Sequence, residues 1–147
     1  MNGNHHPGSA GPGGSDCGPN PFVTRIGRAA QRNSFFRTVL WTGRHLQLTL
    51  MCVPFGGEIG LERHPNTDQL LCIKTGNGTV IMGSCKEKAN FRRRVSAGDA
   101  IFVPAGMWHN LINSARCPMK IISVYAPPQH PRGTIHPTKA VADAAEN

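Results

Sequence analysis

The sequence predicts an all-β sandwich or barrel, and three observations predict it. First, short runs rich in β-formers follow one another at nearly even spacing from residue 35 to residue 125. Second, turn signals divide them: Gly43, Gly56-Gly57, Pro65-Asn66, Gly76-Asn77-Gly78, Ala97-Gly98-Asp99, Ala105-Gly106 and Cys117-Pro118. Third, the chain of 147 residues is one domain's worth of sequence, with no heptad pattern and no solenoid-type repeat. A coiled coil and a helical bundle are thereby excluded.

Taken in order, residues 1–21 are Gly, Pro, Ser and Asn with almost nothing to bury, and read as a disordered or loosely attached tail. His5 and His6 lie in it and make a poor specific metal site. Residues 22–34 form a lead-in with a short helix around Arg25–Arg32. The expected strands are Phe35–Trp41, Leu46–Pro54, Glu58–Arg63, Gln69–Lys74, Thr79–Gly83, Phe91–Val95, Ala100–Val103, Trp108–Asn113 and Met119–Tyr125. The barrel thus spans 35–126. Residues 127–147 open as an irregular crossing segment, Pro127 to Gly133, and end in an alanine-rich helix over Thr138–Ala145.

Sixteen Lys and Arg against eight Asp and Glu give a formal charge of +8. Arg25, Arg28, Arg32, Arg37 and Arg44 dot the first third, and Lys86, Lys88, Arg92, Arg93 and Arg94 form a denser patch. Neither lies beside a recognition helix, zinc-finger spacing or stacking aromatics, so specific nucleic-acid binding is not expected. A basic rim around solvated loops is. The five cysteines are odd in number and form no C-x-x-C pair. That suits a reducing compartment. No apolar run reaches membrane-spanning length and no leader is visible, so the expected location is the cytoplasm.

Chemistry concentrates in two segments, 56–76 and 98–113. Strand side chains alternate faces, so Glu62 and His64 share one. Pro65-Asn66-Thr67 turns the chain, and Gln69 opens the next strand. His109 shares a face with Leu111 and Asn113. A barrel with these faces inward would gather Glu62, His64, Gln69 and His109, a plausible set for a divalent metal. By the same parity Arg63 and Trp108 face outward, and Cys72 lies opposite Gln69. Asp68 reads as a rim residue and Asn113 as a structural turn residue. Tyr125 could bring a hydroxyl near a ligand. His130 and His136 fall in the crossing segment and read first as exposed or hydrogen-bonded loop histidines, with a general acid or base role as the alternative.

These segments resemble the cupin superfamily. Gly56, five residues, Glu62-x-His64, four residues, Gln69, six residues and Gly76 keep the spacing of its first motif. Glu62 stands in place of the usual first His, and Gln69 in place of the usual Glu. Gly98, Pro104, Gly106, His109 and Asn113 match every position of the second motif. The chain is most similar to small single-domain bacterial cupins, including the mannose-6-phosphate-isomerase-like group.

The resemblance implies a double-stranded β-helix, a jelly-roll-like barrel of two antiparallel sheets, commonly a homodimer. Asn33–Leu40 is then a candidate to extend a sheet across the pair. It also implies one divalent ion on Glu62, His64, Gln69 and His109, whose identity stays open among Zn, Fe, Mn, Ni and Co. A divalent ion on a set with one carboxylate leaves a net positive site, which favours a small polar or anionic ligand. Sugar or sugar-phosphate isomerisation is the leading activity and metal-dependent dioxygenation the second. A non-catalytic ligand-binding or structural cupin is the third reading, since fold alone does not fix activity.

Overall fold

The computed structural model describes residues 16–146. A short helix α1 (Ile26–Arg32) precedes eight strands. These are β1 (Arg37–Thr42), β2 (Gln47–Val53), β3 (Asp68–Thr75), β4 (Asn77–Gly83), β5 (Phe91–Ser96), β6 (Ala100–Val103), β7 (Trp108–Asn113) and β8 (Met119–Ala126). A two-residue strand β9 (Ile135–His136) and helix α2 (Lys139–Ala145) end the chain. One sheet runs β6-β3-β8-β2-β1-β9 and the other β5-β4-β7. Every pairing is antiparallel. The expected double-stranded β-helix with short terminal helices is what the chain forms.

Alternation builds the core. On β3, Gln69, Leu71 and Ile73 are buried while their neighbours are more exposed, and on β8 Met119, Ile121, Ser123 and Tyr125 are buried likewise. Met51 and Val53 from β2, Val80 and Met82 from β4, and Leu111 from β7 close the space between the sheets. A second cluster, Ala30, Leu40 and Leu50, joins α1 to the six-stranded sheet. This helix has seven residues and no side-chain cap, so its order comes from that contact and not from propensity.

Three expectations need correction. Glu58–Arg63 is not a strand: its backbone pairs with β7 at the isolated bridges Glu58–Ile112 and Glu62–His109, and the Gly60 N–H donates to the Asn110 side chain at 2.8 Å. Gly60 between them has φ +103°, which breaks the pleat. The tail ends sooner than residue 21. Asp16 is buried, and its carboxylate accepts from the backbone N–H of Gly18 and Thr42 (both 2.9 Å) and of Gly133 (3.1 Å), and from the Thr42 hydroxyl. Residues 1–15 of that expected tail, His5 and His6 included, lie outside the described residues. Finally, residues 127–133 are irregular as expected, but the strand that follows them, β9, is not among the expected strands, and it pairs with β1. With β2 on its other side, β1 has both edges filled within the chain.

Candidate metal centre

The backbone sets the geometry first. Glu62 and His109 exchange N–H···O=C bonds in both directions at 2.9 Å, so their side chains leave the backbone side by side. The Gly106 N–H donates to the His64 carbonyl at 2.8 Å and fixes the next turn. His64 Nε2 and His109 Nε2 each lie 3.3 Å from Glu62 Oε1. The imidazole centroids are 5.3 Å apart. One donor atom from each of the three residues falls within 4.8 Å of the others.

The protonation pattern follows from hydrogen bonding. His109 Nδ1 lies 2.9 Å from the Met107 carbonyl, which can only accept. Nδ1 therefore carries a hydrogen, and Nε2 is the ring nitrogen that faces the Glu62 carboxylate. Glu62 Oε1, His64 Nε2 and His109 Nε2 are all buried, and none makes a well-aligned hydrogen bond. Donor atoms packed this closely around a buried carboxylate need positive charge among them, from protons on the imidazoles or from a metal ion. Burial pushes the Glu62 carboxyl up, but the two imidazoles facing it outweigh burial and hold it well below the ordinary carboxylate range. Three converging lone-pair donors, one of them oriented from behind by a carbonyl, are what a divalent ion uses. Glu62, His64 and His109 could coordinate one.

Gln69 enters from β3, where its Cα partner is Tyr125. Its Nε2 donates to Ser123 Oγ at 2.9 Å, and its Oε1 is buried without a hydrogen-bond partner. Asp68 is exposed at the rim, where it accepts from the Ala105 N–H at 2.8 Å. Asn113 is structural, bonded to the carbonyls of Val53, Pro54 and Cys117 and to the Ala115 N–H. Trp108 lies outside the cluster, with Arg63 and Lys86 over its ring at 5.9 and 5.8 Å.

A second polar wall stands across the barrel mouth. Tyr125 is fully buried, with its ring edge-on to His64 (5.6 Å) and to His130 (5.1 Å). His130 is 6.3 Å from His136. The buried Gln47 side chain pins the backbone here. It donates to the His130 carbonyl (2.8 Å) and accepts from the His130 N–H (2.9 Å). A cavity of about 450 Å³ lies between the walls, lined by Glu62, His64, His130, Thr134, His136 and Glu146 among others. His130 and His136 are thus cavity residues and not exposed, while the hydrogen-bonded alternative holds for His136, which meets Arg37. Arg37, expected on a solvated rim, is buried at 2% exposure, with Nη1 3.0 Å from His136 Nδ1. Arg37 shares strand parity with the buried Val39, the one sequence signal that could have found it.

Burial pushes the Tyr125 hydroxyl up to about 12. Burial, reinforced by the Arg37 charge, lowers His130 to about 3 and also lowers His136. The stability consequence has a definite sign. On acidification the unfolded chain protonates His130 near its ordinary 6.5 while the folded chain does not. Stability is therefore complete above about 6.5 and is lost as pH falls toward 3, by at most about 1.4 kcal/mol per pH unit for each such group. Glu62 adds to the loss below its ordinary 4.5. Urea midpoints measured between pH 6.5 and 4.5 should fall in the wild type and fall less in His130→Gln.

A closed two-sheet barrel with a histidine and carboxylate cluster inside it defines the class: a small jelly-roll protein with an internal donor site. A family model described as a cupin domain matches residues 49–125. The chain belongs to the cupin family. It is 56% identical over 132 residues to the Bacillus subtilis protein YrkC, covering 90% of this chain and 71% of that one. The crystal structure of Bacillus halodurans BH2720 superposes with TM-score 0.87 at 50% identity, covering 88% of this chain and 98% of that one. Protein L612 of Acanthamoeba polyphaga mimivirus is 32% identical over 115 residues, covering 78% of this chain and 70% of that one. Among the described residues no helix is long and apolar enough to cross a membrane.

Proposed function

We propose that this cupin is a metal-dependent enzyme acting on a small polar or anionic molecule, with one divalent ion held by Glu62, His64 and His109. The observation that carries this reading is the convergence of three buried donor atoms, within 4.8 Å, that do not satisfy one another. Gln69 is the fourth ligand in this reading. Its Nε2 is taken by Ser123, which leaves Oε1 as a buried atom without a partner. A bound divalent ion supplies Lewis-acid polarisation of substrate oxygens. The chain's own residues do the rest. Tyr125 and the His130 ring pack together beside His64 and wall the site on one side, and the Met107 carbonyl keeps His109 in its ligating tautomer.

Isomerisation of a sugar or sugar phosphate, as in the mannose-6-phosphate-isomerase-like group, is the leading reaction. Dioxygenation is the second, favoured by the donor set itself: two histidines and one carboxylate suit ferrous iron with open positions. Homodimeric assembly in the cytoplasm belongs to the same reading. The test is turnover by protein loaded separately with zinc, manganese and ferrous iron. Solvent deuterium uptake by aldose and ketose phosphates reads isomerisation, and oxygen consumption reads dioxygenation. Activity that disappears in His109→Ala supports an enzyme. Tight ligand binding without turnover for any metal overturns the enzymatic reading in favour of a binding cupin.

Gln69→Glu gives an independent check on the fourth position. A carboxylate is a stronger donor than an amide to a hard divalent ion. If Gln69 ligates, the substitution tightens metal binding in a competitive chelator titration, and Gln69→Ala weakens it. No change in either variant removes Gln69 from the ligand set.

A further inference from the structure

The three-stranded sheet ends on an open edge. In the order β5-β4-β7, β5 pairs with β4 on one side, and among the described residues no backbone–backbone hydrogen bond leaves residues 91–95 on the other. Arg92, Arg93 and Arg94 follow one another along this edge, all exposed, and the neighbouring Phe91 is 45% exposed. The described residues hold every Lys, Arg, Asp and Glu of the chain, and no ion pair among them includes these three arginines. Lys86 and Lys88 add positive charge to the same stretch, against Glu87 alone. Arg93 bends back on its own strand, with its guanidinium carbon 4.8 Å from the Phe91 ring and its Nη1 donating to the Arg92 carbonyl at 3.1 Å.

Register decides how the charges are presented. Arg93 is the Cα partner of the buried Val80, so its side chain leaves on the inward side of the sheet, with Phe91 and Val95. Arg92 and Arg94 are the partners of Ile81 and Thr79 and leave on the outward side. An unpaired edge is a template for another strand, and the charges on it select which strand. A second copy of this edge is repelled, because it sets arginine against arginine. The chain offers no acidic run of its own, since no two Asp or Glu are adjacent anywhere in the sequence. A nucleic-acid backbone lying along one side of β5 meets either Arg93 or the Arg92 and Arg94 pair. The side chains of an added strand alternate as those of β5 do, and so meet all three.

We propose that the β5 edge binds an extended acidic segment of another protein as an added strand. Three consecutive Asp or Glu residues of that segment pair with Arg92, Arg93 and Arg94 and change faces in step with them. Main-chain hydrogen bonds to the open edge supply affinity, and the three charge pairs fix the register. An apolar residue beside the acidic run falls opposite Phe91. As the partner arrives, Arg93 exchanges its bond to the Arg92 carbonyl for a carboxylate, a charge-assisted and therefore stronger contact. The metal cluster plays no part in this surface.

The experiment is fluorescence anisotropy on full-length protein at low salt, with a labelled peptide that carries three consecutive glutamates between valine and threonine residues. Three probes are compared with it: the same peptide with glutamines for glutamates, the same peptide methylated on the backbone nitrogens of its glutamates and valines, and an oligothymidylate of equal charge. The acidic peptide should bind at least about tenfold more tightly than each of the three, the scale of three cross-strand charge pairs on a paired edge. The triple variant Arg92→Gln/Arg93→Gln/Arg94→Gln should lose at least about tenfold in affinity for it. Arg25→Gln/Arg28→Gln/Arg32→Gln removes as much charge from the start of the chain and should lose less than about threefold, because distant surface charge is screened. All six side chains are exposed, so both variants should fold, which thermal unfolding checks. Equal binding of the methylated peptide would mean attraction without strand pairing. Tighter binding of the oligothymidylate would mean a nucleic-acid surface. No binding of the acidic peptide would leave the arginines as guards against self-pairing. Each of these overturns the proposal, as does unchanged affinity in the β5 variant.

Discussion

Glu62→Gln is expected to weaken divalent-metal binding at least a hundredfold. The substitution keeps the side chain's shape but removes the only anionic donor among the three converging atoms. Loss of an outer-shell partner alone costs about 10–100-fold in metal affinity. Loss of the carboxylate that both Nε2 atoms face at 3.3 Å should exceed that. A competitive chelator titration reads the affinity directly. The metal-induced rise in melting temperature should vanish in parallel, because a ligand that binds only the folded state stabilises in proportion to its affinity. A Glu62→Gln protein that binds metal within tenfold of the wild type would place the ion elsewhere.

Asn113→Ala carries the largest expected loss of stability, at least about 3 kcal/mol. The residue is 1% exposed. Its Nδ2 is shared among the carbonyls of Val53 (3.1 Å), Pro54 (3.1 Å) and Cys117 (2.9 Å), and its Oδ1 accepts from the Ala115 N–H at 2.9 Å. These contacts tie the end of β2 to the end of β7 and to the turn that opens β8. Truncation leaves several backbone groups without partners, each costing about 1–3 kcal/mol. Denaturant unfolding with an unchanged slope gives the value. A loss below about 1 kcal/mol would mean that water replaces the side chain.

The second motif was legible because its residues are local and mostly backbone-driven. Gly98 and Gly106 have positive φ, and two of the partners of Asn113, Ala115 and Cys117, lie within four residues of it, although Val53 and Pro54 do not. The Glu62-x-His64 pair was legible by strand parity, although the segment proved too irregular for a ladder. Parity survived because the bridge at Glu62–His109 restores the pairing after Gly60 interrupts it. Arg37 was not legible as a buried group. Arginine is almost never buried without a partner, and what surrounds it comes from His136, 99 residues further on. Asp16 was hidden for a related reason. Composition marks its neighbourhood as tail, whereas its order comes from Thr42 and Gly133.

The measurement that tests the account most directly is the metal content of untagged protein by elemental analysis, beside a His64→Ala/His109→Ala variant. The account predicts close to one equivalent of a divalent metal in the wild type, or after reconstitution, and almost none in the variant. Wild-type protein that takes up no metal even on reconstitution, or a variant that keeps its full equivalent, would contradict it.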